Sequence, residues 1–326
     1  MLEKSPPLIT LLGPTAAGKT SLSLELAERF DGEIVSADSR LVYRGMDIGT
    51  AKPTAAEQAR VPHHLLDVTT PDRPLTLAQY QRLAYTAIDD IHRRGRVPFL
   101  VGGSALYLRS VTEGLRIPEV PPNPALRAEL EAFVAAEGHE ALHRRLAELD
   151  PVGAGQIDGR NVRRVVRALE IVLETGQPKS ELEGADPPPY GILTIGLEVE
   201  REILHARIVE RVRQMLDAGL ADETARLLAA GYAANLPALS SLGYREMGQH
   251  LRGELTLDEA VERIGIETNR FVRHQSTWFR RMDWVQWFDW NRPDVSGVQR
   301  VVADFLGVPS PPGPEEAGYS KVGGGL

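Results

Sequence analysis

The sequence predicts an α/β protein, with a P-loop-like parallel sheet covered by helices and a helical domain inserted into the chain. Two observations favour this fold class. Short apolar runs alternate with helical segments along the first hundred residues, and two proline-rich junctions then bracket a purely helical stretch. A length of 326 residues, with 42% hydrophobic and 25% charged residues, suits about two globular domains.

The first part of the sheet is predicted from five segments. Residues 8–12, 33–36 and 97–101 are short apolar runs typical of buried strands, whereas residues 21–30 and 76–94 have helical periodicity. The order strand, helix, strand, helix, strand is typical of a parallel sheet with helices on its faces.

The proline-rich junctions 117–124 and 183–190 mark the ends of the predicted insertion. Its predicted helices cover residues 124–137, 139–149 and 160–175. After it come a predicted core strand, 192–199, and helices at 201–217, 221–230, 244–251 and 257–281. The expected domains are a discontinuous catalytic core of residues 1–117 and 190–309, a helical insertion of residues 118–189 and a disordered tail of residues 310–326.

Composition excludes several classes of protein. The chain has no cysteine, so disulfides, thiolate zinc sites and cysteine nucleophiles are excluded, and a reducing cytoplasm is favoured. The N-terminal apolar run is too short for a secretory signal or a membrane span. A net charge of −8 argues against a protein that coats nucleic acid nonspecifically, although it permits a local basic patch.

A glycine-rich segment follows the first predicted strand and opens the first predicted helix. Its sequence, G-P-T-A-A-G-K-T, fits the phosphate-loop pattern G-x-x-x-x-G-K-[ST]. Such a loop surrounds anionic oxygens with backbone N–H groups and a helix N-terminus, while its lysine adds a point charge and its last threonine can hold Mg²⁺. The sequence therefore predicts a phosphate site formed by Gly13, Pro14, Thr15, Ala16, Ala17, Gly18, Lys19 and Thr20.

Several parts of an ordinary kinase or GTPase are missing. The predicted strand 97–101 ends in glycines without an aspartate for the metal, and no N-K-x-D motif occurs. The second strand instead leads to Asp38, which would lie beside the phosphate loop if the first two strands flank one crevice. A carboxylate there suits a general base, with a loop cap or a ligand of metal-bound water as the alternatives.

Seven blocks occur along the chain: GPTAAGKT, SADSRLVYRGMDIGTAKP (36–53), PHHLLDV (62–68), LVGGSALYL (100–108), DGRNVRRVVRALEI (158–171), SLGYREM (241–247) and TNRFVRHQSTWFRR (268–281). Together they resemble the tRNA dimethylallyltransferase family, also called tRNA isopentenyltransferases. The resemblance implies transfer of a dimethylallyl group from dimethylallyl diphosphate to N6 of the adenosine 3′-adjacent to the anticodon, position 37, in tRNAs that read codons starting with U. The phosphate loop would then hold an isoprenoid diphosphate rather than ATP.

The resemblance also implies roles for single residues. Asp38 matches the family's base, which accepts the amine proton, and Thr15 matches a threonine that contacts the bridging region of the diphosphate. Lys19 and Thr20, with Mg²⁺ as the cofactor, would stabilise the charge on departing diphosphate. Arg211 matches an arginine that reaches the diphosphate.

The role of Arg211 has an alternative in the sequence itself. Arg207 and Arg211 lie four residues apart on one predicted helix face, so that both could instead pair with Glu200 or Glu210. Of the two arginines, only Arg211 matches the family residue.

For tRNA contact, the resemblance implies residues from several stretches: Asp38, Ser39, Arg40, Leu41, Ser104, Arg127, Arg163, Arg164, Val165, Val166, Arg167, Ser240, Ser241, Leu242, Gly243, Tyr244 and Arg245. Residues 158–167 and 265–281 each hold four arginines against one acidic residue, which favours local phosphate contacts. Ser104 stands where the family usually has threonine, and Asn269 and His274 stand where arginine is usual.

A target base must leave the stacked anticodon loop to be modified, and it can then stack on aromatic side chains. The candidate planes, for which core packing is the alternative, are Tyr43, Tyr107, Tyr244 and Trp278.

His63 and His64 precede Asp67, but adjacent side chains of an extended segment point to opposite faces, so we expect no metal site there.

The predicted partners are tRNA, through its anticodon stem-loop, and dimethylallyl diphosphate, for a cytoplasmic monomer without membrane contact. Three alternatives stay open: an adenylate isopentenyltransferase acting on free AMP, ADP or ATP, a P-loop small-molecule kinase, and an RNA-binding module with an inactive phosphate loop. A free nucleotide needs no clamp of inserted arginines, and an inactive loop would be expected to have lost some of Thr15, Lys19, Thr20 and Asp38.

Overall fold

The core of the protein is a six-stranded sheet in which all paired strands are parallel. In a computed structural model, which describes residues 5–309, the strand order is β3-β2-β4-β1-β7-β8. The strands are β1 (Pro7–Leu12), β2 (Gly32–Ser36), β3 (His63–His64), β4 (Val97–Gly102), β5 (Leu115–Arg116), β6 (Gly184–Ala185), β7 (Gly191–Glu198) and β8 (Gln286–Asp289), of which β5 and β6 form a separate antiparallel pair.

Helices connect and cover these strands. They are α1 (Lys19–Arg29), α2 (Ala55–Arg60), α3 (Leu77–Arg93), α4 (Ala105–Thr112), α5 (Pro124–Leu149), α6 (Pro151–Gly155), α7 (Val162–Thr175), α8 (Lys179–Leu182), α9 (Arg201–Asp217), α10 (Leu220–Ala229), α11 (Tyr244–Leu251), α12 (Leu257–Phe279) and α13 (Val295–Leu306). The predicted α/β class, with a parallel sheet covered by helices, is confirmed.

The strands at the centre of the sheet are buried on both faces. Ile9 and Leu11 of β1, Phe99 of β4 and Leu197 of β7 are inaccessible to solvent, and Leu26 of α1 packs in the same core. Continuous apolar runs of this kind are expected where helices cover both faces of a parallel sheet. The predicted strands at 8–12, 33–36, 97–101 and 192–199 are therefore confirmed, each to within a residue or two at its ends.

The strand order corrects one expectation. β4 lies between β1 and β2 and pairs with both, so the first two strands do not flank a crevice directly. Parallel strands nevertheless present their carboxyl ends at one edge, where the loops after β1, β2 and β4 can meet.

The chain divides into two compact units. The first consists of residues 5–76, Arg82–Leu108 and 189–309, and the second of Leu77–Gln81 and Arg109–Pro188. The second unit has an apolar core of its own, in which the fully buried residues include Leu130, Leu142, Leu146, Val165 and Leu169. The expectation that residues 118–189 form a tRNA-contacting domain stays a prediction, and the expected tail, 310–326, lies outside the described residues.

Among residues 5–309, the helices are either too short or too polar to cross a bilayer.

Candidate active site

The segment between β1 and α1 folds around the ammonium group of Lys19. Lys19 Nζ donates hydrogen bonds to the carbonyl oxygens of Gly13 and Pro14, both at 2.9 Å. Gly18 directly precedes α1 and has a φ of +97°, which glycine adopts without the steric penalty of a Cβ atom. Because an ammonium group has three N–H donors, the two loop bonds leave one donor for an anion.

Lys19 lines an open cavity of about 620 Å³, a volume that includes space open to solvent. The cavity brings together six residues that the sequence assigned to the site: Thr15, Lys19, Thr20, Asp38, Leu41 and Arg211. The other lining residues are Ser23, Ile34, Ser36, Thr50, Ala51, Pro53, His63, Leu66, Val101 and Gly102.

The cavity combines polar and apolar walls. Ile34, Leu41, Leu66 and Val101 supply hydrocarbon, whereas the phosphate loop and Arg211 supply positive charge. Such a lining suits a ligand with an anionic end and an apolar end. Leu66 had no predicted role. It lies in the block PHHLLDV, which contributes to the family resemblance, but hydrophobic periodicity does not indicate that it lines a site.

The cations of the cavity are partly withdrawn from water. Burial lowers the pKa of Lys19 to about 8, a shift that the Asp38 carboxylate opposes and the Arg211 guanidinium reinforces. Burial also lowers the pKa of Arg211, again against the attraction of Asp38. Removing cations from water is costly, so an anionic ligand in the cavity would be favoured by both groups.

Asp38 follows β2 and is oriented by its own turn. One of its carboxylate oxygens, Oδ1, accepts a hydrogen bond from the backbone N–H of Arg40 at 2.8 Å. The loop-cap alternative is therefore present, and it is compatible with a general base because a carboxylate has acceptor sites left over. Asp38 faces the same cavity as the phosphate loop although β4 separates their strands.

Both arginines of α9 that the sequence singled out turn toward this site. Arg211 Nη2 approaches the carbonyl oxygen of Thr50 at 3.5 Å, and Arg207 Nη1 lies 3.4 Å from the carbonyl oxygens of Ala16 and Ala17 in the phosphate loop. These contacts favour the site interpretation over the pairing with glutamates of the same helix.

A buried carboxylate holds the loop that carries Thr50. Glu223 of α10 is 3% exposed and accepts hydrogen bonds from three consecutive backbone N–H groups, those of residues 47–49, at 3.0–3.2 Å. The hydroxyl of Tyr244 donates to the same carboxylate at 2.5 Å. Glu223 therefore ties the cavity wall to the start of α11, and sequence reasoning missed it because nothing local marks it.

Thr20 is a residue that could hold Mg²⁺ together with a phosphate ligand. Residues 5–309 contain no group of three or more His, Cys, Asp or Glu side chains that could hold a metal ion. Mg²⁺ often keeps several waters and takes one or two protein ligands together with phosphate oxygens. The Thr20 hydroxyl, in the first turn of α1 and on the cavity wall, is suited to that arrangement.

Of the predicted tRNA contacts in the first unit, Asp38 and Leu41 line the cavity, and the others lie outside its lining. The backbone N–H of Ser39 donates to Ser104 Oγ at 3.0 Å, so the serine that replaces threonine keeps a structural bond. Arg40 donates to the carbonyl oxygen of Pro237 at 2.8 Å. In the segment 240–245, only Ser240 and Arg245 are exposed, and Ser241, Leu242, Gly243 and Tyr244 are buried or half-buried.

In the second unit, Glu170 organises two of the predicted tRNA-binding arginines. This carboxylate is inaccessible to solvent and accepts two bonds from Arg127, at 2.7 and 2.8 Å, and one from Arg167. Burial alone would raise the pKa of Glu170, but the bonds from Arg127, the Asn123 backbone and Arg167 lower it to about 2. Both guanidinium groups are therefore already engaged with a carboxylate.

The stretch 163–167 divides by its helical faces. Val165 and Val166 are 0% and 6% exposed, so their side chains pack in the core of the second unit. Contact of these two residues with tRNA stays a prediction. Arg163 and Arg164 are exposed. Their side chains are the members of this stretch that remain candidates for phosphate contact.

Burial also separates the candidate stacking planes. Tyr43, Tyr107 and Tyr244 are at most 8% exposed, which supports core packing, whereas Trp278 is 40% exposed. His64 pairs with Glu33 at 2.6 Å, and His63 lines the cavity. These positions agree with structural or substrate-contacting histidines.

Comparison with known proteins gives consistent matches. The model of the IPP transferase family matches residues 41–282. A tRNA dimethylallyltransferase of Thermomicrobium roseum is 51% identical over 292 residues, covering 90% of this chain and 89% of its own, and one of Roseiflexus sp. is 54% identical, covering 92% and 97%. The crystal structure of the full-length tRNA isopentenylpyrophosphate transferase from Bacillus halodurans is similar with a TM-score of 0.69 and 42% identity, covering 92% of this chain and 97% of its own.

Proposed function

The chain belongs to the IPP transferase family, and from that premise we propose that it is a tRNA dimethylallyltransferase. It transfers a dimethylallyl group from dimethylallyl diphosphate to N6 of the adenosine 3′-adjacent to the anticodon. One observation carries the proposal: a single cavity combines a phosphate loop, further cationic side chains, an apolar wall and the carboxylate of Asp38.

The two ends of the donor match the two kinds of wall. The diphosphate would accept hydrogen bonds from the phosphate loop, the free donor of Lys19 and Arg211, whose charge an anion offsets. The five-carbon chain would contact Ile34 and Leu66, which have no polar group to offer.

The chemistry then follows from the position of Asp38. An exocyclic adenine amine is a weak nucleophile because its lone pair is delocalised into the ring. As N6 forms its bond to C1 of the donor, the C1–O bond breaks and its electron pair leaves with diphosphate, while the N6 proton passes to Asp38. Lys19 and Arg211 stabilise the charge that develops on the departing oxygen.

Magnesium would be held by Thr20 together with the diphosphate, and it would supply further charge neutralisation on the leaving group. The tRNA would be recognised by the turn that follows β2, by Ser104 and by the exposed arginines 163 and 164. The enzyme would act as a monomer in the cytoplasm, a reducing compartment with which the absence of cysteine is consistent.

Product analysis tests the proposal. The protein is incubated with Mg²⁺, labelled dimethylallyl diphosphate and either free AMP or an unmodified tRNA that carries adenosine at the last anticodon position and at its 3′ neighbour. After digestion, we expect the N6-prenylated nucleoside from tRNA alone. Label on AMP alone would instead identify an adenylate isopentenyltransferase. Label on neither acceptor, together with turnover of ATP, would identify the protein as a P-loop kinase.

A further inference from the structure

One buried amide joins α12 to the phosphate loop. Gln275 is 5% exposed, and its Oε1 accepts a hydrogen bond from the backbone N–H of Thr15 at 2.9 Å. Its Nε2 donates to the carbonyl oxygen of Gly103, just after β4, also at 2.9 Å. The side chain thus bridges the loop that follows β1 and the loop that follows β4, across 260 and 172 residues of sequence.

The orientation of this amide follows from its partners. An N–H group must meet the carbonyl oxygen of the amide, and a carbonyl oxygen must meet its NH₂ group, so a flipped amide would lose both bonds. The contact also explains a glycine: a Cβ atom on Gly103 would lie 2.6 Å from Gln275 Nε2. A side chain at position 103 would therefore displace the amide of Gln275 from this place.

The hydrogen bond to Gln275 occupies the backbone N–H of Thr15. Its N–H donates to Gln275 and not to a ligand, and Thr15 is one of the residues that line the cavity. Thr15 can therefore meet an anion through its hydroxyl group and not through its amide. Without an acceptor at position 275, the Thr15 peptide could rotate so that its N–H donates to the anionic ligand in the phosphate loop. That rotation would also move the Thr15 hydroxyl.

We propose that Gln275 is a positioning residue of the donor site, which fixes the Thr15 peptide so that the Thr15 hydroxyl meets the diphosphate. This proposal rests on the diphosphate chemistry of the proposed function. It assigns a role in the donor site to a helix whose exposed face the sequence associated with RNA. Gln275 acts through Thr15 and does not itself touch the reacting atoms.

The first test measures binding of magnesium pyrophosphate by calorimetry, which needs no prenyl transfer. Gln275→Met keeps the length of the side chain and removes both bonds, and we expect affinity to fall about 10-fold, or about 1.4 kcal/mol. Gly103→Ala displaces the amide from the other side without altering Gln275, and should have the same effect. Ser276→Ala is the matched control, because the Ser276 hydroxyl donates to the Val272 carbonyl oxygen within α12.

A double-mutant cycle separates positioning from general stability. If Gln275 acts through Thr15, adding Gln275→Met to Thr15→Ala should weaken pyrophosphate binding by less than about 2-fold beyond Thr15→Ala alone. In prenyl transfer, Gln275→Met should raise KM for the donor more than KM for tRNA. Additive effects in the cycle, or wild-type pyrophosphate affinity in both Gln275→Met and Gly103→Ala, would overturn the proposal. A wild-type protein that binds pyrophosphate but does not modify tRNA would refute the proposed function and leave the Gln275 test intact.

Discussion

The carboxylate of Glu223 offers the sharpest test of how the cavity wall is held. In Glu223→Gln the shape is kept, but an NH₂ group must replace an oxygen that now faces backbone N–H donors. If the NH₂ group replaces Oε2, the N–H of Asp47 loses its acceptor. If it replaces Oε1, the N–H of Gly49 loses its acceptor, and the Tyr244 hydroxyl must turn to accept instead of donating. One lost acceptor costs about 1–3 kcal/mol, and the surviving bonds weaken because the charge is gone, so we expect a total of about 2–4 kcal/mol.

Urea unfolding of the first unit, followed by its tryptophan fluorescence, measures this loss, and pyrophosphate affinity should fall several-fold in the same variant. The affinity falls because the loop of residues 47–49 leads directly into Thr50, which contacts Arg211. Glu262→Gln, at an exposed position of α12, is the control and should change stability by less than about 0.5 kcal/mol. Equal stability of the two variants would show that Glu223 does not hold the wall.

Four further predictions concern charge and burial. Asp38→Asn should slow single-turnover prenyl transfer by about 10²–10⁴ while tRNA binding in a filter assay changes only a few-fold, and unchanged turnover would mean that another group takes the proton. Because burial lowers the pKa of Lys19 to about 8 and the protonated ammonium is the form that attracts an anion, pyrophosphate affinity should fall as pH rises through about 8. Lys19→Arg should lack that inflection; the same inflection in this variant would assign it to another group. Arg163→Ala should lower tRNA affinity without unfolding the protein, and should reduce by about 1 the slope of log affinity for tRNA against log salt concentration. Val165→Ala should instead destabilise the second unit by about 1–3 kcal/mol in a urea titration.

Local pattern was sufficient for most elements. Buried runs such as residues 8–12 predicted their strands because covered parallel strands are apolar throughout. β3 is only two residues long, and β8, with the sequence QWFD and mostly exposed side chains, has no apolar run to detect. α13, which was not predicted, has helix-end signals in its sequence, since Asp294 caps its first turn and Gly307 ends it with a φ of +71°. The helices predicted at 124–137 and 139–149 form α5, which is interrupted by Gly138 at a φ of +83°.

Contacts between distant segments explain what sequence could not provide. The charge of residues 158–167 predicts RNA contact equally for each of its arginines, yet Arg167 bonds the buried Glu170, which also binds Arg127 from another helix. Likewise, a glutamine in the block TNRFVRHQSTWFRR gives no indication that it bonds the phosphate loop. A count of charges along the chain cannot distinguish an arginine that organises a core from one that is available to a ligand.

The partners of the cations supply that distinction. Arg127 bonds a carboxylate, so its charge is already compensated and its removal would expose a buried anion. Lys19, Arg207 and Arg211 instead contact backbone carbonyl oxygens, which fix their positions but do not neutralise them. Among the residues that line this cavity, the two cations Lys19 and Arg211 face one carboxylate, that of Asp38. The cavity therefore has an excess of positive charge before a ligand binds. A bound diphosphate compensates that excess, and the same cations stabilise the negative charge that develops on it as it leaves. Asp38, oriented by its own turn, remains available to accept a proton.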